Sequence, residues 1–120
     1  MTDKRRTGNI AEQAVVDAMT SKGFQLITRN YNVHNVGEID IAMRKGDTVY
    51  IIEVKSRLSG NPYQSSCEAV LGSKRRKVIN TTKYLLRHYG LEEYDVIFLA
   101  GCVTHNKSGL VQKIEIIPFE

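Results

Sequence analysis

Two runs of alternating apolar character flank a glycine–aspartate pair in the middle of this chain: Gly37–Lys45 and Thr48–Lys55, joined by Gly46-Asp47. Glycine adopts a positive φ at no steric cost, so this dipeptide between two β-like runs signals a two-residue hairpin. With Gly46 and Asp47 as the loop, Lys45 faces Thr48, Asp40 lies directly opposite Glu53, and Glu38 lies opposite Lys55. Side chains alternate faces along a strand, so Asp40, Glu53 and Lys55 project from one face. Val49 and Ile51 share that face, which is therefore at least half buried. Any fold built on this hairpin has to accommodate two carboxylates and a lysine in one patch.

The flanking pattern supplies the other elements. Ala11, Ala14, Val15, Ala18 and Met19 recur at helical spacing and predict a helix over 8–22, ended by Gly23. Phe24 to Asn30 reads as a first strand. Residues 56–72 contain Gly60, Pro62 and several serines, which predicts a loop with one short ordered piece near 67–71. Ser73 is placed to cap a second helix reaching about Tyr89, with Val78, Leu85, Leu86 and Tyr89 inward and Gly90 closing it. Asp95 to Val103 is almost continuously apolar, the pattern of a strand buried on both faces. Val111 to Ile117 forms a last strand, with Pro118 at an edge or exit. A crossover through the second helix leaves the third and fourth strands parallel. The predicted fold class is mixed α/β with a single central sheet, in one domain covering residues 1–120.

Composition narrows the chemistry. A net charge of +4 is compatible with nucleic acid but does not select it. No apolar stretch reaches the length of a signal peptide or a bilayer span, so a soluble cytoplasmic protein with no membrane partner is expected. Cys67 and Cys102 match no metal-ligand spacing and are expected as reduced thiols. His34, His88 and His105 also lack ligand spacing. The absence of a glycine-rich phosphate loop argues against use of ATP or NAD.

Like charges directly opposite on a sheet are unfavourable. At ~5 Å and an effective dielectric near 20 the repulsion between Asp40 and Glu53 is roughly 3 kcal/mol. A divalent cation between them removes the penalty, and Mg²⁺ is typically held by one or two carboxylates with water and phosphate oxygens. Such an ion activates water and polarises a phosphodiester, and Lys55 on the same face can orient the nucleophile or neutralise developing charge. The alternative is a solvated hairpin face in which Glu38–Lys55 is an ordinary surface ion pair. A second feature is Lys74-Arg75-Arg76-Lys77 in the first turn of the second helix, where four cations oppose the macrodipole. A helix start that binds an anion explains the conflict, and Arg76, Lys83 and Arg87 extend a basic strip at helical spacing. Contacts of this kind add affinity and salt dependence rather than sequence reading. A plain solvated surface is the alternative here as well.

An acidic residue followed by Glu-Val-Lys on the next strand, in this element order, resembles the PD-(D/E)XK nuclease superfamily. More narrowly, Gly8-x-x-x-Glu12, Arg29-Asn30-Tyr31, Gly37-Glu38-Ile39-Asp40 and Glu53-Val54-Lys55-Ser56-Arg57 resemble the YraN-type family of small bacterial proteins. Pro62, Ala69-Val70, Lys74 and Tyr94-Asp95 extend the likeness over essentially the whole chain. That family is largely uncharacterised and is held to be endonuclease-like through its similarity to archaeal Holliday-junction resolvases. The resemblance implies a restriction-endonuclease-like fold with Mg²⁺ or Mn²⁺ held by Asp40, Glu53 and the Val54 carbonyl. It makes Lys55 the catalytic lysine and Glu12 an additional carboxylate, bound directly or through water. Asn9-x-x-Glu12 also fits a capping box, which would use Glu12 differently. Glu38 either pairs with Lys55 or supports the metal from outside its ligand set. Asn32 and Glu93 stand where the family pattern leads one to expect basic residues.

The reading is a metal-dependent endonuclease acting on DNA, branched or structured, with Glu12, Asp40, Glu53 and Lys55 catalytic. Arg57, Lys74, Arg75, Arg76, Lys77 and Lys83 would contact nucleic acid, and a homodimer would help engage a junction. The rival is a non-catalytic nucleic-acid-binding or adaptor protein that retains the fold.

Overall fold

The computed structural model describes residues 3–60, Cys67, Gly72 and 74–119, the side chains of 3–7 excepted. Helix α1 (Asp3–Thr20) leads into β1 (Gln25–Val33), β2 (Gly37–Lys45) and β3 (Thr48–Leu58). Helix α2 (Arg75–Tyr89) precedes β4 (Asp95–His105) and β5 (Val111–Pro118). The five strands form one sheet in the order β1-β2-β3-β4-β5. Neighbours are antiparallel except β3 and β4, which run parallel as the crossover requires. This is the mixed α/β architecture that the hydrophobic pattern predicted and that a restriction-endonuclease-like fold entails.

The helices cover opposite faces of the sheet. From α1, Ala11, Val15, Val16 and Met19 pack on Ile41, Met43, Ile52 and Val103. From α2, Val78 and Leu85 pack on Ala42, Val49, Ile51, Ala100 and Cys102. The strand alternation is thus satisfied on both sides, with consecutive residues of β3 such as Ile51 and Ile52 each fully buried. The hairpin has the predicted register, from Lys45 opposite Thr48 to Ile41 opposite Ile52.

Several boundaries differ from the pattern-based reading. Helix α1 begins at Asp3, so Glu12 lies well inside it and the capping box is not formed. Strand β1 continues to Val33, paired to Gly37 across a turn in which Asn35 has φ +62°. The first half of β4 is not buried on both faces, and Ile97 is 43% exposed. β5 pairs with β4 only from Leu99 onward, so the start of β4 has a neighbour on one side alone. Gly90, at φ +68°, ends α2 as expected. Tyr89, however, is exposed and rests against His88 and Tyr31, while Thr81 and Thr82 occupy the buried face. Their hydroxyls donate to the Lys77 and Val78 carbonyls, which satisfies them inside the core. The expected Ser73 cap lies outside the described residues, and Lys74 precedes the helix with no side-chain capping bond.

The cysteines are not free thiols. Cys67 and Cys102 form a disulfide with Cα atoms 6.2 Å apart. Their separation in sequence hides this, because the crossover returns Cys67 to the α2 face of β4.

One close approach positions the site. A Cβ on Gly37 would lie 2.6 Å from Thr81 Oγ1 and 3.4 Å from the Lys77 carbonyl. Glycine therefore lets the start of β2 press against α2 and brings the first turn of α2 over the hairpin. Gly37→Ala is expected to destabilise the chain by about 1–3 kcal/mol in urea unfolding. Adding Thr81→Ala should restore part of that loss, because it removes the hydroxyl in the way.

Candidate active site

The regular ladder between β2 and β3 ends at Ile41–Ile52. At the next position the two acids take over its hydrogen bonds. The Asp40 amide donates to Glu53 Oε2 at 3.0 Å, and the Val54 amide donates to Asp40 Oδ2 at 2.8 Å. Each carboxylate thus reaches across to the opposite backbone, and the strands part into a fork. Asp40 and Glu53 are joined there as the hairpin register predicted. Glu38 and Lys55 are not, because β2 leaves β3 and Glu38 instead lies opposite Asn32 in β1.

The fork opens into a cleft of about 550 Å³. Asp40, Glu53 and Glu38 line one side, the β1–β2 turn from Asn32 to Gly37 forms a second, and Lys74, Lys77 and Val78 of the α2 start close the third. Glu53 is only 2% exposed. Burial pushes its carboxyl up to about 8, and the charges of Asp40 and Glu38 push the same way. The Asp40 amide and Lys74 oppose the shift. Asp40 is raised chiefly by burial, against the Val54 hydrogen bond and Lys74. A buried acid pair in this state favours either a proton or a cation between its members.

The donor set suits a hard divalent cation. One oxygen of each carboxylate is used by a backbone amide, which leaves Oδ1 and Oε1 without a protein hydrogen bond among the described residues. The N–H and C=O of one residue in an extended strand point to the same side, so the Val54 carbonyl also faces the fork. Carboxylate and carbonyl oxygens with room for water match Mg²⁺ or Mn²⁺. The set is small: among the described residues no three His, Cys, Asp or Glu side chains converge as a metal cage.

Glu12 stands beside this pair without joining it. Its Oε1 is 3.5 Å from Arg29 Nη2, while Arg29 Nη1 donates to Gln13 Oε1 at 2.6 Å. Burial raises the Glu12 carboxyl, the Asp40 charge raises it further, and Arg29 and Asn30 lower it. It is therefore within electrostatic reach of Asp40 while tied to β1. Lys55 lies opposite Cys102 in β4 and is not among the residues lining the cleft. Lys74 is the cation felt by both acids, a position that sequence reasoning assigned only to phosphate.

The basic cluster divides in two. Lys74 and Lys77 face the carboxylates, whereas Arg75 and Arg76 line a separate hollow with Gly72, Ile79 and Asn80. Lys83 borders a third hollow with Asn35, Val36, Asn80 and Tyr84. Arg57 points away toward β4 and β5, where Nε reaches Thr104 Oγ1 at 3.5 Å and Nη2 lies 4.0 Å from Glu115. Asn32 and Arg29 were missed as parts of the site. Arg29-Asn30 is the signal for the second, since the pair sits where α1 meets β1.

Comparison with known proteins adds a family. The family model described as "Uncharacterised protein family UPF0102" matches residues 11–99. A UPF0102 protein of Acinetobacter baylyi is 38% identical over 82 residues, spanning 68% of this chain and 57% of the relative. One of Chromohalobacter salexigens is 34% identical over 109 residues, spanning 86% and 85%. Another, of Syntrophus aciditrophicus, is 32% identical over 117 residues, spanning 98% and 89%. None of these three is named for an activity.

The acid pair has a consequence for stability. A carboxyl with a raised folded-state pKa keeps a proton that the unfolded chain has already lost, so stability falls as pH rises between the two values. For Glu53 that window runs from 4.5 to about 8. Metal-free protein should melt at a lower temperature at pH 8 than at pH 5.5. Glu53→Gln should flatten this slope, as read by calorimetry in EDTA.

Proposed function

This chain belongs to the uncharacterised protein family UPF0102, and we propose that it is a Mg²⁺- or Mn²⁺-dependent endonuclease acting on branched or structured DNA. The observation that carries the proposal is the buried Asp40–Glu53 pair, crossed at a sheet fork and opening into a cleft faced by lysines. The likeness of these residues to the PD-(D/E)XK nucleases supports the same reading.

In this proposal Asp40, Glu53 and the Val54 carbonyl hold the ion, and Glu12 reaches it through water. The bound ion would supply Lewis-acid polarisation of the phosphodiester and an acidified water. Asp40 and Glu53 are kept in place by backbone amides, so little reorganisation accompanies charge development. Lys74 and Lys77 would hold the phosphate at the mouth of the cleft, since they face the acids across it. Lys55, two residues beyond Glu53 on the same face, would assist the attacking water once substrate draws the site together. A chain of 120 residues spans little duplex, so two copies engaging a junction belong to the proposal.

A second reading has its own support. No third acid completes a metal cage with the pair among the described residues, although Glu38 lines the same cleft, and Lys55 is absent from that lining. A nucleic-acid-binding or adaptor protein that keeps the fold without cleaving would tolerate both.

Two measurements separate these readings. Calorimetric titration with Mn²⁺ should give one site of sub-millimolar to millimolar affinity that Asp40→Asn abolishes. Four-way junctions and flaps incubated with Mn²⁺ should be nicked faster than linear DNA, with Asp40→Asn or Lys55→Ala lowering the rate by at least about 10²-fold. Unchanged nicking in Asp40→Asn would identify a contaminant, and DNA binding without nicking would favour the adaptor.

A further inference from the structure

Three hollows around α2 adjoin one another. The carboxylate cleft shares Asn35 and Val36 with the hollow of about 390 Å³ at Lys83 and Tyr84. That hollow shares Asn80 with the one of about 400 Å³ at Arg75 and Arg76. Adjoining hollows therefore continue from the acids along one flank of α2. Lys77, Asn80, Tyr84 and His88 follow at intervals of three and four residues and share a helix face.

Tyr84 is unusual among the residues lining these hollows. It is 47% exposed, with no hydrogen bond or ring contact among the described residues. Its neighbours in the hollow are two amides, Asn35 and Asn80, one cation, Lys83, and the apolar Val36. An aromatic face bordered by amide donors and a cation is the combination that takes a single nucleotide strand: the base stacks, the amides meet base edges, and the cation meets phosphate. A paired duplex offers no free base face at this position. The separation from Lys77 to Tyr84 along the helix is about 10 Å, on the order of three stacked nucleotides.

We infer that the flank of α2 from Lys77 to Tyr84 is a binding track for single-stranded DNA, with Tyr84 as the stacking position for a base. The inference rests on the proposed action on DNA and specifies its substrate: a junction or flap with an unpaired arm leaving the cleft beside Asn35. The track delivers that arm away from Asp40 and Glu53, so the scissile bond lies near the end of the paired region.

The test uses the full chain carrying Asp40→Asn, in EDTA, so that binding is read apart from metal and cleavage. Fluorescence anisotropy with labelled oligothymidylate of about 12 nucleotides and with a blunt duplex of equal length gives the two affinities. Tyr84→Ala should weaken the single-strand complex by about 5- to 100-fold and leave the duplex affinity unchanged. Tyr84→Phe should restore binding, and Lys83→Gln should reduce the salt slope by about one. Circular dichroism confirms folding, and the exposed position of Tyr84 makes this a mild substitution. Equal single-strand affinities for Tyr84→Ala and its parent would overturn the track, even if junctions are nicked. A Tyr84-dependent single-strand preference in a protein that nicks nothing would uphold the track and remove the endonuclease.

Discussion

The crossed hydrogen bonds between Asp40 and Glu53 are the constraint on which the rest of the site depends. A sheet normally satisfies its backbone with its own ladder, and a strand pair that separates exposes donors that need other partners. Here the two carboxylates supply those partners across the fork, so strand separation and acid pairing are one structural event. The arrangement also traps two negative groups where burial disfavours charge. Protonation or a cation relieves that conflict, and the protein keeps the geometry ready for either.

Other features act on this fork from a distance. Gly37 permits contact between the first residue of β2 and Thr81, which sets the height of α2 above the sheet. Val78 and Leu85 anchor the helix on Val49 and Ile51, the same strand face that carries Glu53. The first turn of α2 therefore faces the acids with Lys74 and Lys77, against the usual preference for acidic residues at a helix start. The violated local rule has a local explanation, since Lys74 moderates the acid pair and Lys77 lines the same cleft. On the other side, Arg29 holds Glu12 back from the pair through a contact between α1 and β1. The site is assembled from both helices and three strands.

Much of this was legible before any coordinates. The Gly46-Asp47 turn specified the hairpin register because a two-residue loop allows only one pairing, and the apolar alternation of β3 agreed with it. The helix stripes located both helices, with the start of α1 placed five residues late, where pattern is weakest. The Glu38–Lys55 pairing failed because register extrapolation assumes that a ladder continues. Nothing in the alternation shows where two strands separate. The contact of Arg29 with Glu12 was equally hidden, because it depends on how α1 folds back over β1 rather than on either element's own periodicity.

The sequence by itself determined the element order, the parallel crossover and the pairing of Asp40 with Glu53, since these follow from periodicity and turn chemistry along neighbouring segments. Tertiary structure alone decided which cations face those acids, since Lys74 and Lys55 are equally basic on paper and only packing orients them. It also decided the Cys67–Cys102 bond and the adjoining hollows along α2. The physical reason is common to all three: they depend on distances between elements, and those are set by how side chains fill the space between helix and sheet.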